Sequence, residues 1–132
     1  ANLGVVLPTP GVVFAEDDDV VPDVVWISRA RLSQAVDEAG HLRAAPELVI
    51  EVLSPGKANE ERDRQIKLKL YSRRGVHEYW IVSWTGRFVE VYRRDNAQLH
   101  LTATLYANDV LESPLLPEFS CSVAQLFFSS RA

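Results

Sequence analysis

The chain has 132 residues, of which 47% are hydrophobic and 24% are charged, and its formal net charge is −4. This length accommodates one domain with one main core. The acidic balance argues against a protein that coats DNA through a uniformly basic surface, although a nucleic-acid enzyme needs only local basic patches. The apolar runs are too short to cross a bilayer, so no membrane association is expected. A single cysteine, Cys121, excludes an internal disulfide and suits a cytoplasmic protein.

The first third of the chain alternates turn signals with short apolar runs. Residues 3–7 and 12–14 are apolar and are separated by prolines and a glycine, which predicts a hairpin-like pair. Residues 20–27 follow an acidic run, and their β-branched and aromatic side chains predict a strand. Residues 29–40 then predict a short, mostly exposed helix that a glycine ends.

Residues 47–53 form the most informative segment. As a strand, this segment places Leu48 and Ile50 on one face and Val49 and Glu51 on the other. Because both faces are largely apolar, we expect a central strand that is covered on both sides. A glutamate at such a position pays a large desolvation cost unless it finds a partner.

The remaining pattern predicts a helix, three strands and a last helix. Asn59 is a helix-capping residue type, and Gly75 lies where the same helix would end. Three β segments follow, at residues 78–84, 87–94 and 98–106. Residues 122–128 predict a short helix that docks on the sheet. The order of elements predicts an α/β fold with a mixed β-sheet flanked by helices.

Asp23 and Glu51 are the first two candidate site residues. Each lies in a segment predicted as an apolar strand, and two converging carboxylates need either a cation between them or a proton on one of them. Hard oxygen ligands suit Mg²⁺ or Mn²⁺, and a water on such an ion is a natural nucleophile for phosphodiester hydrolysis. Alternatively, either carboxylate points into solvent at a strand end or pairs with an arginine.

Lys67 is the third candidate. It lies on the helix that follows the Glu51 strand, so its ammonium could reach the carboxylates, contact a phosphate or orient the attacking water. Asp63, Lys67 and Tyr71 lie on one stripe of that helix at i, i+4 and i+8. The alternative is therefore an ordinary solvent-facing lysine that pairs with Asp63.

Residues 57–74 are locally basic, with seven basic and three acidic residues in an acidic chain. Such a segment could follow a nucleic-acid backbone, and a solvated helix face is the alternative. The candidate contacts to nucleic acid are Lys57, Arg62, Arg64 and Lys69. The chain has no glycine-rich phosphate loop and no Gly-x-Ser-x-Gly elbow, which counts against an NTPase or an α/β-hydrolase.

Five linked segments resemble the Uma2 family (DUF820), a family of restriction-endonuclease-like proteins within the PD-(D/E)XK nuclease superfamily. The matching segments are residues 21–28, 45–55, 63–71, 75–82 and 113–117. They span nearly the whole chain in the order of the family pattern. Together they are more specific than any single motif.

The resemblance implies a restriction-endonuclease-like core with extra C-terminal antiparallel strands. It implies that Asp23 and Glu51 are the carboxylates that hold Mg²⁺ or Mn²⁺. The superfamily's usual lysine lies two residues after the glutamate, where this chain has Leu53. The Uma2 pattern carries a lysine on the next helix instead, and that position is Lys67 here.

Two further residues are expected to line the same pocket, and two features depart from the family pattern. Tyr71, one turn beyond the lysine, and Glu47 are the pocket-lining candidates, and the alternative for Tyr71 is that it simply packs. Ser83 replaces an aspartate that usually follows the family's Tyr-Trp-Leu-Val strand, and we interpret it as a turn-former. Relatives also carry a first helix ahead of the position of Leu3, so we expect residues 1–132 to form a single nuclease-like domain without that helical segment.

The leading hypothesis is a Mg²⁺-dependent deoxyribonuclease that cuts DNA as an endonuclease through a metal-bound water. One alternative is a catalytically inactive DNA-binding or assembly module of the same fold. Another is a structural interaction domain, such as a homodimer joined through exposed strands like residues 87–94.

Overall fold

The computed structural model describes residues 4–8, 12–13, 19–20, 23–53 and 60–127, and it describes residues 12–13, 19–20 and 60–63 through their backbone only. Strands and helices alternate along this part of the chain. In chain order they are β1 (Gly4–Pro8), β2 (Val12–Val13), β3 (Asp19–Val20), β4 (Val24–Ser28), α1 (Arg29–Ala35), β5 (Leu48–Leu53), α2 (Glu60–Arg74), β6 (Glu78–Ser83), β7 (Phe88–Asp95), β8 (Gln98–Leu105), β9 (Val110–Ser113), β10 (Leu116–Ser122) and α3 (Val123–Phe127).

Six of these strands form one mixed sheet in the order β1-β4-β5-β6-β7-β8. β5 and β6 are parallel, and α2 is the crossover between them, since parallel neighbours need a connection that returns to the same end of the sheet. The other neighbours in the sheet are antiparallel. β2 pairs with β3 and β9 pairs with β10, each as a separate two-stranded sheet. The predicted α/β fold with a mixed sheet is confirmed.

β5 is apolar on both faces, as its sequence predicted. Val49 belongs to a first core that includes residues of α1 and α2, whereas Leu48 belongs to a second core that includes residues of β9 and α3. The first core consists of Val25, Ile27, Ala35, Leu42, Ala45, Val49, Tyr71, Val76, Tyr79, Ile81 and Leu99. The second core consists of Trp26, Leu48, Trp80, Val89, Val91, Leu111, Val123 and Phe127.

The predicted N-terminal hairpin and the predicted length of the first helix were wrong. β1 pairs with β4, and β2 pairs with β3, so the two apolar runs do not pair with each other. α1 ends at Ala35, and the chain then forms a bridge between Val36 and Leu42. The Asp37 carboxylate accepts hydrogen bonds from the backbone N–H groups of Ala39 and His41, both at 2.9 Å. Such a side chain offers the backbone an alternative to the helix.

The C-terminal half of α2 is tied to the sheet by polar contacts as well as by packing. The Arg94 guanidinium, on β7, donates to the carbonyl oxygens of Ser72 at 2.5 Å and Val76 at 2.9 Å. These contacts supply a charged donor to carbonyl groups at the end of the helix and just after it, where intrahelical hydrogen bonds run out. The Ser72 hydroxyl accepts a hydrogen bond from the Leu99 backbone N–H at 3.1 Å, which joins the helix to β8. Gly75 follows the helix at a φ of 91°, as expected of a glycine after a helix end.

A buried carboxylate fastens the β9–β10 hairpin over the second core. Glu78 is 1% exposed and accepts hydrogen bonds from Trp80 Nε1 and from the Ser113 hydroxyl, both at 2.7 Å. Its Oε2 also lies 3.4 Å from Arg93 Nε, in an ion pair. The sequence patterns predicted strands up to β8 but did not locate this hairpin, because its pairing depends on contacts with β6 and β7.

Within the described residues, no helix combines the length and apolar character needed to cross a membrane.

Candidate active site

Glu51 lies near the end of β5, on the face of the first core, and is 7% exposed. Its Oε2 accepts a hydrogen bond from the Tyr71 hydroxyl at 2.9 Å and lies 3.5 Å from Lys67 Nζ. Lys67 and Tyr71 are one turn apart on α2, so a single stripe of the helix brings both to the same oxygen. The predicted stripe therefore faces the sheet at Glu51.

Asp23 directly precedes β4, so the expectation that it lies inside a strand was wrong by one residue. The register pairs Val24 with Ile50, and its continuation by one residue places Asp23 opposite Glu51. Asp23 is half-buried, and its Oδ2 accepts a hydrogen bond from the Val52 backbone N–H at 2.7 Å. This bond holds the aspartate carboxylate against β5, beside the glutamate.

Burial is the largest influence on the electrostatics of Glu51. The pKa of the Glu51 carboxyl is raised, first because burial disfavours its charged form. The Lys67 ammonium and the Tyr71 hydroxyl oppose this rise, and the negative charge of Asp23 adds to it. The pKa of Tyr71 is also raised, by burial and then by Glu51, so its phenol stays protonated and remains a hydrogen-bond donor.

Lys67 is directed at the sheet. Its side chain is 30% exposed, which leaves part of the lysine accessible while the ammonium contacts Glu51. The alternative partner, Asp63, has a side chain outside the described residues. The structure thus brings Asp23, Glu51, Lys67 and Tyr71 together from the start of β4, from β5 and from α2.

The four candidate contacts to nucleic acid have different surroundings. Lys57 and the side chain of Arg62 lie outside the described residues. Lys69 is exposed on α2. Arg64 faces the sheet and forms an ion pair with Glu90 on β7, and its side chain is 19% exposed. Of the two candidates whose side chains are described, only Lys69 is an exposed surface cation.

Glu47 lies at the opposite end of β5 from the site. Glu47 directly precedes β5, and the four residue steps from Glu47 to Glu51 correspond to about 13 Å along an extended chain. Its Oε1 accepts a hydrogen bond from the Ser28 backbone N–H at 2.9 Å, and its Oε2 lies 3.5 Å from Arg31 Nε. Glu47 lines a cavity with Arg31, Gln34 and other residues of or beside α1. It therefore anchors the start of α1, and the expectation that it shares a pocket with Tyr71 is not met.

Ser83 has the structure of a turn-former, as predicted. Its hydroxyl accepts a hydrogen bond from the Gly86 backbone N–H at 3.1 Å, and its carbonyl accepts one from the Arg87 backbone N–H at 2.9 Å. The turn between β6 and β7 is therefore closed by the serine that stands at the family's aspartate position.

The sequence patterns missed Glu90 and Tyr92, which lie on the same face as the site. The register pairs Glu51 with Ile81 and Ile81 with Glu90, so the two glutamates share one row across the sheet. The Tyr92 hydroxyl donates to Glu90 Oε1 at 3.3 Å. The alternation of Val89, Glu90, Val91 and Tyr92 in β7 is the signal that could have placed both polar residues on one face.

The donor set of Asp23 and Glu51 fits a hard divalent cation. Two carboxylates on adjacent elements supply oxygen ligands, and Mg²⁺ normally takes one or two protein carboxylates and completes its shell with water and phosphate oxygens. A cation between them would also offset the burial and the like-charge repulsion that raise the pKa of Glu51. In the described part of the chain, no group of three or more His, Cys, Asp and Glu side chains is arranged to hold a metal.

Comparisons with known proteins identify the family of the chain and support its fold. The family model Uma2, described as "Putative restriction endonuclease", matches residues 1–124. A crystal structure from Anabaena variabilis, of a "putative nuclease belonging to DUF820", is similar with a TM-score of 0.73 at 20% sequence identity, and the match covers 95% of this chain and 68% of that chain. At this identity the likeness shows the fold. No curated protein matches the chain. The family match extends over most of the sequence, and the chain belongs to the Uma2 family.

Proposed function

We propose that this protein is a metal-dependent endonuclease that hydrolyses DNA phosphodiester bonds. The observation that carries the proposal is the convergence of Asp23, Glu51 and Lys67, which are distant in sequence, around one buried carboxylate. DNA as the substrate follows from the family description, which names a restriction endonuclease. A buried carboxyl with a raised pKa, such as Glu51, beside a partly exposed lysine is typical of functional sites.

Asp23 and Glu51 are the residues that would hold the cation. Both described partners of the Glu51 side chain approach Oε2, so Oε1 is the oxygen that we assign to the metal. When bound, Mg²⁺ or Mn²⁺ would supply the Lewis acidity that phosphodiester hydrolysis needs at neutral pH. Tyr71 fixes the orientation of the glutamate by donating to its other oxygen.

Lys67 has the position needed to stabilise charge on a phosphate. Its ammonium lies beside the carboxylates and its side chain is partly exposed, so it can offer a positive charge to a substrate oxygen as negative charge develops there. Leu53, at the superfamily's usual lysine position, is partly buried and packs against the first core. In this chain the helix therefore supplies the cation that the strand lacks.

Cleavage of DNA in the presence of Mg²⁺ or Mn²⁺ tests the proposal. We expect Asp23→Ala, Glu51→Ala and Lys67→Ala each to lower the cleavage rate by at least about 100-fold, because each removes a charge placed for the transition state. Glu38→Ala is the matched control, since Glu38 is an exposed carboxylate in the turn after α1. Wild-type rates in both carboxylate variants would contradict the assignment. Salt-dependent DNA binding without cleavage, retained by Glu51→Ala, would favour a non-catalytic DNA-binding module.

A further inference from the structure

The described N-terminal part of α2 has little apolar packing. The buried side chains of the described helix are Leu70 and Tyr71, and Leu68 is partly buried against the first core. In the turn that begins at Arg64, by contrast, Ile66 is 54% exposed. The second half is also tied to the sheet by Arg94 and by Ser72. Since helices in proteins are stabilised mainly by packing of an apolar face, polar contacts must hold residues 64–67, the first turn whose side chains are described.

Arg64 and Glu90 provide such a contact. The guanidinium NH2 of Arg64 forms an ion pair with Glu90 Oε1, and the two side chains are 19% and 16% exposed. Tyr92 donates to the same oxygen at 3.3 Å. Burial, followed by the negative charge of Glu90, raises the pKa of Tyr92, so its hydroxyl remains a donor to the glutamate. The glutamate is therefore oriented by two partners on two elements.

This contact stands directly beside the candidate site. Glu51 and Glu90 occupy one row of the sheet with Ile81 between them, so their strands are about 10 Å apart. Arg64 and Lys67 are three residues apart on α2, which corresponds to a rise of only about 4.5 Å. Their long side chains therefore diverge, and each reaches one of the two glutamates.

The two contacts have matching composition. Glu51 has a basic partner and a tyrosine, Lys67 and Tyr71, and Glu90 likewise has Arg64 and Tyr92. The ring of Tyr79 packs between the two tyrosines, with ring centroids 5.0 Å from Tyr71 and 5.9 Å from Tyr92. α2 is thus attached to the sheet at two neighbouring points of the same chemical kind.

We propose that Arg64 and Glu90 are positioning residues, which fix α2 so that Lys67 and Tyr71 reach Oε2 of Glu51. This inference rests on the proposed function for its effect on catalysis. Lys67 can serve a substrate phosphate only if its contact with Glu51 is not what keeps the helix docked. The Arg64–Glu90 ion pair instead holds the helix against the sheet, one turn before Lys67. Loss of either partner leaves a poorly hydrated charge on the other.

Hydrogen exchange of the metal-free protein tests the structural half of the inference without relying on nuclease activity. In Glu90→Gln we expect the amides of residues 64–69 to exchange at least about 10-fold faster than in the wild type, because that part of the helix opens locally. Exchange in residues 70–74 should change less, because Arg94 and Ser72 still hold that turn. Glu38→Gln, which changes an exposed glutamate, is the matched control. Unchanged exchange in residues 64–69 would overturn the inference.

Steady-state kinetics test the catalytic half. We expect Glu90→Gln to lower kcat about 10- to 100-fold while KM for DNA changes little, because Lys67 is misplaced while binding surfaces remain. Arg64→Lys retains a positive charge opposite Glu90 and should keep more of kcat than Arg64→Gln does. A pair that merely stabilises the fold would lower the melting temperature and leave kcat unchanged, and that result would overturn the inference. A wild-type protein that cleaves no DNA would refute the proposed function, and the exchange experiment would still decide whether the pair positions α2.

Discussion

Glu51 keeps a carboxylate in a place where an apolar residue would pack at lower cost. Its strand neighbours on the same face belong to or pack against the first core, and Lys67 and Tyr71 compensate its charge only in part. Such groups commonly reduce stability for the sake of function. Substitution of Glu51 should therefore change the pH dependence of the free energy of unfolding as well as the activity.

Glu51→Gln should stabilise the metal-free protein at neutral pH. Because the folded pKa of Glu51 is raised above its ordinary value of 4.5, the carboxyl favours folding below that pH, and this contribution is lost as the pH rises through the folded pKa. We expect a gain in the free energy of unfolding on the order of 1 kcal/mol at neutral pH, and none below pH 4.5, measured by urea unfolding. A glutamine variant that is less stable at neutral pH would show that Lys67 and Tyr71 compensate the charge fully.

Tyr71→Phe should shift the activity of the protein toward higher pH. The phenol lowers the pKa of Glu51 by donating to its carboxylate, so removal of the hydroxyl lets that pKa rise further. The acidic limb of the pH profile of kcat/KM for DNA should then move upward, since it reports the essential groups of the free enzyme. An acidic limb that stays in place or moves to lower pH would contradict the role given to Tyr71.

At the scale of single residues, the sequence patterns predicted the members of the candidate site better than the residues that hold them in position. The alternation in residues 47–53 and the i, i+4 spacing of Lys67 and Tyr71 are local patterns, and both translate directly into a face of a strand or of a helix. The contact of Glu90 was not predicted, because its partner Arg64 is 26 residues away in sequence and no local pattern encodes that ion pair.

At the scale of elements, α2 depends on its C-terminal contacts with the sheet. Arg94→Met should lower the free energy of unfolding by about 1.5–3 kcal/mol, because the carbonyl groups of Ser72 and Val76 lose a charged donor. Urea unfolding measures the change. Lys69→Met, on an exposed position of the same helix, is the matched control and should change stability little. Equal effects of both substitutions would contradict the capping role of Arg94.

Some element boundaries were predictable from local signals, whereas others depend on contacts that override such signals, as at α1, where the predicted stop at Gly40 was wrong. Gly75 ends α2 at a φ of 91°, and the alternation in β7 fixes its faces, so both were accessible from the sequence. The end of α1 at Ala35 depends on the loop hydrogen bonds of Asp37, which compete with the helix. The strand β10 includes Pro117 and pairs with β9 through an irregular register, which weakens its local signal.

At the scale of the whole molecule, the two faces of the sheet are covered by different elements. The face of the first core carries α2 and the row of Glu51, Ile81 and Glu90. The β9–β10 hairpin and α3 cover the second core. Glu78 fastens that cover from the buried start of β6. Stability of the second face should therefore be separable from chemistry on the first.

Glu78→Ala should be among the most destabilising single substitutions in the described part of the chain. It leaves Trp80 Nε1, the Ser113 hydroxyl and Arg93 without their shared acceptor, and we expect a loss of about 3–5 kcal/mol in the free energy of unfolding. Glu78→Gln keeps an acceptor oxygen and should lose less. Chemical denaturation of both variants measures the difference, and equal stability of Glu78→Ala and the wild type would refute this account of the hairpin.

We infer that Asp23 and Glu51 together hold a divalent cation, and anomalous diffraction from crystals soaked in MnCl₂ tests this most directly. We predict an anomalous peak between the two carboxylates in the wild type and its loss in Glu51→Gln, which keeps the hydrogen bond from Tyr71 but removes the charge. Manganese bound elsewhere, or retained between Asp23 and Gln at position 51 with undiminished occupancy, would contradict the account.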